Sequence, residues 1–96
     1  MLYENNRVFN ELGANIFKNG YKRAAISIML KAYEASSMNE SVANNIGVVY
    51  THLGELNKTA HFFGIALERS QKNKTIIENV AILLKIFRRN KFKFNA

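Results

Sequence analysis

The sequence contains no cysteine, no proline and no tryptophan among its 96 residues. Without cysteine, the chain cannot form a disulfide, a thiolate metal site or a cysteine nucleophile. Acidic residues are also scarce, since seven Asp and Glu stand against fourteen Lys and Arg, for a formal net charge of +7. This excess of positive charge favours acidic partners without naming one.

Long apolar runs are missing as well. The longest, residues 80–84, is far shorter than the roughly 18 residues that suggest a membrane-spanning helix. Residues 1–7 contain Glu4 and polar neighbours where a signal peptide would need an apolar stretch of about seven residues. We therefore expect no transmembrane span and a cytoplasmic location. The 48% of hydrophobic residues predicts one folded domain over residues 1–96.

Motifs for catalysis or cofactor binding are not found. His52 and His61, the only histidines, fall on different predicted helices with no paired carboxylates near them in sequence. The five glycines are scattered and form no phosphate-binding loop. No serine, histidine and acid have the order or spacing of a catalytic set. We expect a protein that is not an enzyme, without cofactor, metal or small-molecule substrate.

An internal repeat is the main positive feature. A 34-residue shift places residues 6–39 over residues 40–73 without a gap and makes eight positions identical. Repeats of this length are typical of helical hairpins that stack into an array. The identical pairs are Val8/Val42, Asn10/Asn44, Gly13/Gly47, Gly20/Gly54, Ala32/Ala66, Glu34/Glu68, Ser36/Ser70 and Asn39/Asn73.

Each repeat has the pattern of two helical arms. In the first repeat, apolar residues at spacings of three and four mark an arm that ends near Gly20, and a second apolar pattern covers residues 24–33. Gly20 suits the left-handed turn that closes a helix, and Gly54 recurs one repeat later. Because only a few residues separate the arms, each pair must run antiparallel.

Two further glycines, Gly13 and Gly47, lie inside the first arms. Glycine there costs about 1 kcal/mol relative to alanine. Its recurrence at the same phase of the repeat predicts close approach between the two arms of each hairpin. Ala32 and Ala66 are the small residues that we expect opposite these glycines.

These features resemble the tetratricopeptide repeat family, whose pattern places Trp, Leu-Gly and Tyr on one helix and Ala and Phe on the next. Ser37 and Gln71 occupy the slots where the family has proline. The matching slots hold Phe9, Leu12-Gly13, Ile16, Ala25 and Met29 in the first repeat, and Ala43, Ile46-Gly47, Tyr50, Thr59 and Phe63 in the second.

The resemblance implies an all-α fold of two antiparallel helical hairpins plus a C-terminal helix, arranged as a right-handed α-solenoid. The first repeat would cover residues 6–39, and the second would cover residues 40–73. A partial third repeat or end helix would cover residues 74–90, and a basic tail residues 91–96.

The resemblance also implies a function. The first arms of such arrays line a concave groove, and the groove binds peptide segments of other proteins. We therefore expect a protein-protein interaction module of adaptor, scaffold or chaperone type. The predicted groove residues are Asn10, Phe17, Lys18, Asn44, Val48, Thr51, His52, Ile82 and Lys85.

The final helix, predicted over residues 75–89 with Asn73 or Thr75 as its N-cap, is apolar nearly all round. A helix with this pattern is normally buried on more than one side. Three explanations stay open: the chain is a fragment of a longer array, the helix pairs with its copy in a homodimer, or residues 91–96 fold back over it. Self-association would use Ile76, Ile77, Leu83, Ile86 and Phe87.

A basic end follows, in which the cations Arg88, Arg89, Lys91 and Lys93 are interspersed with aromatic residues. This mixture can hold phosphates and stack bases, or lie on an anionic membrane surface. Nucleic-acid or membrane-surface binding is therefore the alternative function. We rank it second, because so short a segment forms no groove and chain ends are commonly solvated.

Overall fold

The computed structural model describes the backbone of residues 2–35, 39–70 and 72–95, and the side chains of residues 8–35, 39–70 and 72–89. Within these residues the chain is all-α, as predicted, and has no strand. The helices are α1 (Leu2–Lys18), α2 (Lys22–Ala35), α3 (Glu40–Leu53), α4 (Leu56–Arg69) and α5 (Lys74–Asn95).

The helices pack in sequence order, and the odd-numbered helices also approach one another. Consecutive helices are in contact from α1 to α5, and the backbone of α3 lies close to those of α1 and α5. The described backbones of α2 and α4 stay farther apart and meet through side chains. The molecule measures 52 × 30 × 18 Å and has one layer that contains α1, α3 and α5.

The two hairpin turns are closed by glycine, as predicted. Gly20 and Gly54 adopt φ angles of +94° and +76°, which only glycine reaches without strain. After Gly54, the amide of Glu55 donates to the carbonyl of Tyr50 at 3.1 Å, and the residue after Gly20 makes the same bond. This is the Schellman arrangement that satisfies the last carbonyls of a helix.

Asparagine caps two of the helices at equivalent points of the repeat. The side-chain oxygen of Asn39 accepts from the amides of Ser41 and Val42 at 2.9 and 3.2 Å, at the start of α3. Asn73, the equivalent residue of the next repeat, accepts from the amide of Ile76 at 3.2 Å, at the start of α5. Of the two predicted caps of the final helix, Asn73 therefore makes the bond.

The arms of each hairpin approach closely at the glycines inside α1 and α3, as the repeat predicts. A Cβ atom on Gly13 would lie 2.7 Å from Cγ of Met29. On Gly47 it would overlap the ring of Phe63. Met29 and Phe63 are themselves related by the 34-residue shift, so the same contact occurs in both hairpins.

The predicted partners of these glycines were wrong. Ala32 packs between α2 and α3 in a cluster with Ile46, and Ala66 packs with Ala43 and Ile76 between α3, α4 and α5. The hollow above each glycine receives a large side chain from the facing arm, because a missing Cβ makes room for a bulky neighbour. The small alanines instead let successive hairpins come together.

The core lies between the hairpins and is completed by aromatic rings in edge-to-face and stacked contact. Its first cluster joins α2 to α3 through Met29, Ile46 and their neighbours. The ring of Phe62 lies 5.6 Å from Tyr33 and 5.8 Å from Tyr50, which links α2, α3 and α4. Such aromatic pairs add about 0.5–1.5 kcal/mol each beyond the area they bury.

Helix α5 is longer than predicted. Its backbone remains helical to Asn95, so residues 91–95 continue the helix away from residues 75–89. A tail that folds back over the final helix is therefore excluded as the cover for its apolar surface. In the described part of the chain, no helix combines the length and hydropathy that crossing a membrane requires.

Candidate functional site

Two asparagine pairs join the layer formed by α1, α3 and α5. Nδ2 of Asn45 donates to Oδ1 of Asn10 at 3.0 Å, and Nδ2 of Asn79 donates to Oδ1 of Asn44 at 2.9 Å. Both donors and both acceptors are related by the 34-residue shift, so the same bond forms twice. We call these two bonds the asparagine ladder, and it fixes how the three helices are aligned.

The ladder uses two residues that were predicted to bind the backbone of a peptide. The side-chain oxygens of Asn10 and Asn44 already accept bonds within the chain, and Asn44 is buried. Their bonding partners, Asn45 and Asn79, were not among the predicted site residues. The signal was present in the sequence, since asparagines recur one repeat apart at both positions.

A cleft opens beside the ladder, between α3, α4 and α5. Its empty volume is about 340 Å³, including space that is open to solvent. Four predicted groove residues line it, namely Val48, Thr51, His52 and Ile82. The other lining residues, Phe63, Asn79 and Leu83, were not among the predicted groove residues.

The cleft has an apolar floor. Phe63 and Leu83 are buried at its base, and Val48 is half-buried. Ile82, on α5, is 53% exposed and forms an apolar wall that a ligand can cover. Covering most of one such side chain contributes about 1–2 kcal/mol to binding.

Polar groups at the rim keep some hydrogen-bonding capacity. The hydroxyl of Thr51 donates to the carbonyl of Gly47 at 2.8 Å, which leaves its oxygen able to accept. The amide of Asn79 has two donor hydrogens and an acceptor oxygen, and the ladder takes one of the hydrogens. The cleft therefore offers both a donor and acceptors to a peptide backbone.

His52 joins α3 to α1 at the edge of the cleft. Its Nδ1 lies 2.9 Å from the carbonyl of Val48, and since that carbonyl only accepts, Nδ1 carries the hydrogen of this bond. In the neutral ring Nε2 is then an acceptor. The ring of Phe17 meets that of His52 edge-on with centroids 5.1 Å apart, so these two predicted groove residues are in contact.

The two predicted groove lysines do not line the cleft. Lys18 is exposed in the last turn of α1. Lys85 is exposed on α5, one helical turn after Ile82. These two lysines can contact only a ligand that is long enough to extend beyond the edges of the cleft.

The residues predicted for self-association separate into two groups. Ile76 and Leu83 are buried within the chain against α3 and α4, so they offer no surface to a second copy. Ile86 and Phe87 are half-buried, while Ile77 is exposed. The prediction therefore needs correction, because part of the apolar surface of α5 serves the core.

The basic end is described only in part. Arg88 and Arg89 are exposed on α5. Lys91 and Lys93 belong to the helical backbone, but their side chains lie outside the described residues.

One charged cluster lies at the turn between α3 and α4. Glu55 forms ion pairs with Lys58 at 3.1 Å and with Arg23 of α2 at 3.2 Å. The hydrogen bond from Lys58, with the charges of both cations, lowers the pKa of the Glu55 carboxyl, and partial burial opposes this shift. The cluster does not line the cleft, and it ties α2 to the second hairpin.

Among the described residues, no three histidine, aspartate or glutamate side chains come together in a way that could hold a metal ion. No model of a known protein family matches the chain, and a search of curated proteins finds no match. The function must therefore be argued from the cleft and from the repeat.

Proposed function

We propose that this protein is a tetratricopeptide-like interaction module that binds a peptide segment of another protein in the cleft between α3, α4 and α5. The cleft itself carries the proposal. It combines an apolar floor with free hydrogen-bonding capacity at the rim, on the layer of helices that the repeat predicts to be concave.

The arrangement of the helices supports such a binding surface. The backbone of α3 lies close to those of its neighbours α1 and α5, whereas the backbones of α2 and α4 stay farther apart. This difference suits an array that curves towards the odd-numbered helices.

The lining indicates which peptide would bind. The apolar floor suits one bulky side chain, such as leucine, methionine or phenylalanine. Asn79 and Thr51 would then bond the peptide backbone on either side of that residue. Lys85 would favour an acidic residue about one turn or more away.

The test uses a random-peptide display library selected against the full chain, followed by synthesis of the enriched peptides. Val48→Lys places a charge on the floor and should weaken binding of the selected peptides at least tenfold. The matched control is Ala24→Lys, on an exposed position of α2 outside the cleft. Its affinity should equal that of the unchanged protein.

Two outcomes would contradict the proposal. One is a selection that yields no peptide with saturable binding. The other is a set of selected peptides that bind Val48→Lys as well as the unchanged protein, while circular dichroism shows equal helix content.

Nucleic-acid or anionic-surface binding is the weaker alternative. Arg88 and Arg89 lie exposed on a continuous helix, and they do not line the cleft. A steep fall with salt in the affinity for a single-stranded oligonucleotide, lost in Arg88→Gln/Arg89→Gln, would favour this alternative.

A further inference from the structure

One stripe of α5 is left uncovered by the described residues. Ile77, Ala81 and Leu84 lie on one face at helical spacings of four and three, and we call them the open stripe. Ile77 is 46% and Leu84 is 60% exposed. These values are high for large apolar residues, and the two lie about two helical turns apart on one face, with Ala81 between them.

The repeat shows what kind of element covers this stripe. The 34-residue shift places Ala43, Gly47 and Tyr50 of α3 at the same positions. There the stripe is closed by α4, which leaves Tyr50 only 6% exposed and brings Phe63 onto Gly47. The open stripe is thus the counterpart of a surface that binds an antiparallel amphipathic helix in the second hairpin.

Cations lie beside the open stripe and indicate the charge of the element that would cover it. Lys74 precedes Ile77 by three residues, Lys85 follows Ala81 by four, and Arg88 follows Leu84 by four. All three are exposed, and Lys74 also pairs with Glu78 at 3.8 Å, so the surface beside the stripe carries three cations and one carboxylate. Because residues at these spacings are neighbours on a helix surface, a covering helix with acidic flanks would meet them.

The same charges disfavour a second copy of the chain as the occupant. Two open stripes facing each other would bring the Lys74, Lys85 and Arg88 side chains of both copies, six cations in all, to one interface with only the two Glu78 carboxylates. Like charges placed together in this way oppose association.

We infer that the open stripe of α5 is a docking site for an acidic amphipathic helix of a partner protein, which lies antiparallel to α5 in the position that α4 takes on α3. This site is separate from the cleft, which lies on the side of α5 that carries Ile82. It does not depend on the function proposed for the cleft.

Ala81 limits the size of the residue that the docked helix can place against it. At the two equivalent positions, glycine makes room for Met29 and for Phe63. The Cβ of Ala81 occupies the equivalent space, so the docked helix must carry a small residue where α4 carries Phe63. A bulky residue there is accepted only if Ala81 becomes glycine.

The probe is a synthetic peptide that copies residues 55–70, with Phe63 and Gly64 replaced by alanine, and glutamate at four of its exposed positions, Asn57, Lys58, His61 and Arg69. A matched peptide carries lysine at those four positions. Binding to the full chain is measured by fluorescence anisotropy, and helix formation in the peptide by circular dichroism.

The acidic peptide should bind saturably and at least tenfold more tightly than the lysine peptide. Leu84→Ser should weaken binding about 5- to 20-fold, since it removes most of one exposed leucine from the interface. Val8→Ser is the matched control, at an exposed apolar residue of α1 that lines neither the open stripe nor the cleft, and it should bind the peptide like the unchanged protein. Both residues are largely exposed, so neither change should unfold the chain.

Two further measurements make the test decisive. A peptide that keeps the phenylalanine should bind Ala81→Gly better than the unchanged protein, and the alanine peptide should lose this preference. The inference is overturned if the acidic peptide does not bind, if Leu84→Ser binds it unchanged, or if light scattering shows a dimer that Leu84→Ser converts to monomer. The last result would make a second copy the occupant.

Discussion

Replacing Gly47 with alanine should destabilise the protein, although the same change usually stabilises a helix. Gly47 lies inside α3, where alanine is intrinsically favoured by about 1 kcal/mol. The added Cβ would overlap Cδ1 and Cε1 of Phe63 and lie 3.2 Å from its Cγ. The sign of the effect therefore depends on whether this ring can move.

The surroundings of Phe63 leave it little freedom. Phe63 is buried at the floor of the cleft, so its ring can shift only towards the open side of the cleft. Forcing extra volume into a packed core costs about 1–3 kcal/mol, and overlap with two ring atoms favours the upper part of this range. After the gain in helix propensity, we expect a net loss of about 1–2 kcal/mol, or roughly 4–16 °C in Tm for a domain of this size.

Gly64 provides the matched control, because it lies in the same hairpin with no atom within 4 Å of a Cβ placed on it. Gly64→Ala should raise the free energy of unfolding by about 0.5–1 kcal/mol. Urea denaturation followed by circular dichroism at 222 nm measures both variants. If Gly47→Ala is as stable as Gly64→Ala, the close-approach explanation of the recurring glycine is refuted.

Three further changes probe other contacts. Asn79→Ala leaves the oxygen of buried Asn44 without its donor and should lower the free energy of unfolding, measured by urea denaturation, by about 1–3 kcal/mol. A loss below about 0.3 kcal/mol would show that the ladder is not stabilising. Asn73→Ala removes the cap of α5, so it should lower the free energy of unfolding by about 1 kcal/mol and reduce the helix content, whereas Asn73→Ser should keep most of the stability. The lowered pKa of Glu55 contributes stability that is present above its ordinary value of 4.5 and is lost as the pH falls through the folded-state value. The free energy of unfolding, measured from pH 6 to pH 3, should therefore fall less in Glu55→Gln than in the unchanged protein. Equal falls would contradict the role assigned to Lys58.

The helices and turns were predictable from the sequence because they depend on local signals. The turn at Gly54 needs a residue that tolerates positive φ, and the apolar spacing on each side defines an arm. The 34-residue shift then places the arms of one repeat over those of the other. The length of α5 was not predictable in this way, since no glycine or proline marks its end.

The details of packing were harder to predict, because they depend on where side chains point across a hairpin. The residue facing Gly47 was chosen for its small size, yet the structure places the large ring of Phe63 there. Likewise, the sequence did not show which apolar residues of α5 pack into the core and which face outward. Ile76 and Ile77 are neighbours in sequence, and only contact with α3 and α4 distinguishes them.

The cleft was predicted in part for the same reason. Val48 and Ile82 were found because they lie on first arms, which a repeat array turns towards its groove. Phe63 was missed because it belongs to a second arm and reaches the cleft across the small residue Gly47. Asn79 was missed because its pairing with Asn44 becomes visible only when adjacent repeats are compared at a spacing of 35.

The asparagine ladder also gives the layer a direction. In both bonds the later helix donates and the earlier helix accepts. At the next positions outward under the same shift, the sequence has Glu11 in α1 and Glu78 in α5 instead of asparagine. If a second copy extended the layer end to end, it would bring these two carboxylates together, and neither has a hydrogen to donate when ionised. The hydrogen bond of the ladder therefore could not be repeated between Glu11 and Glu78 while both are ionised.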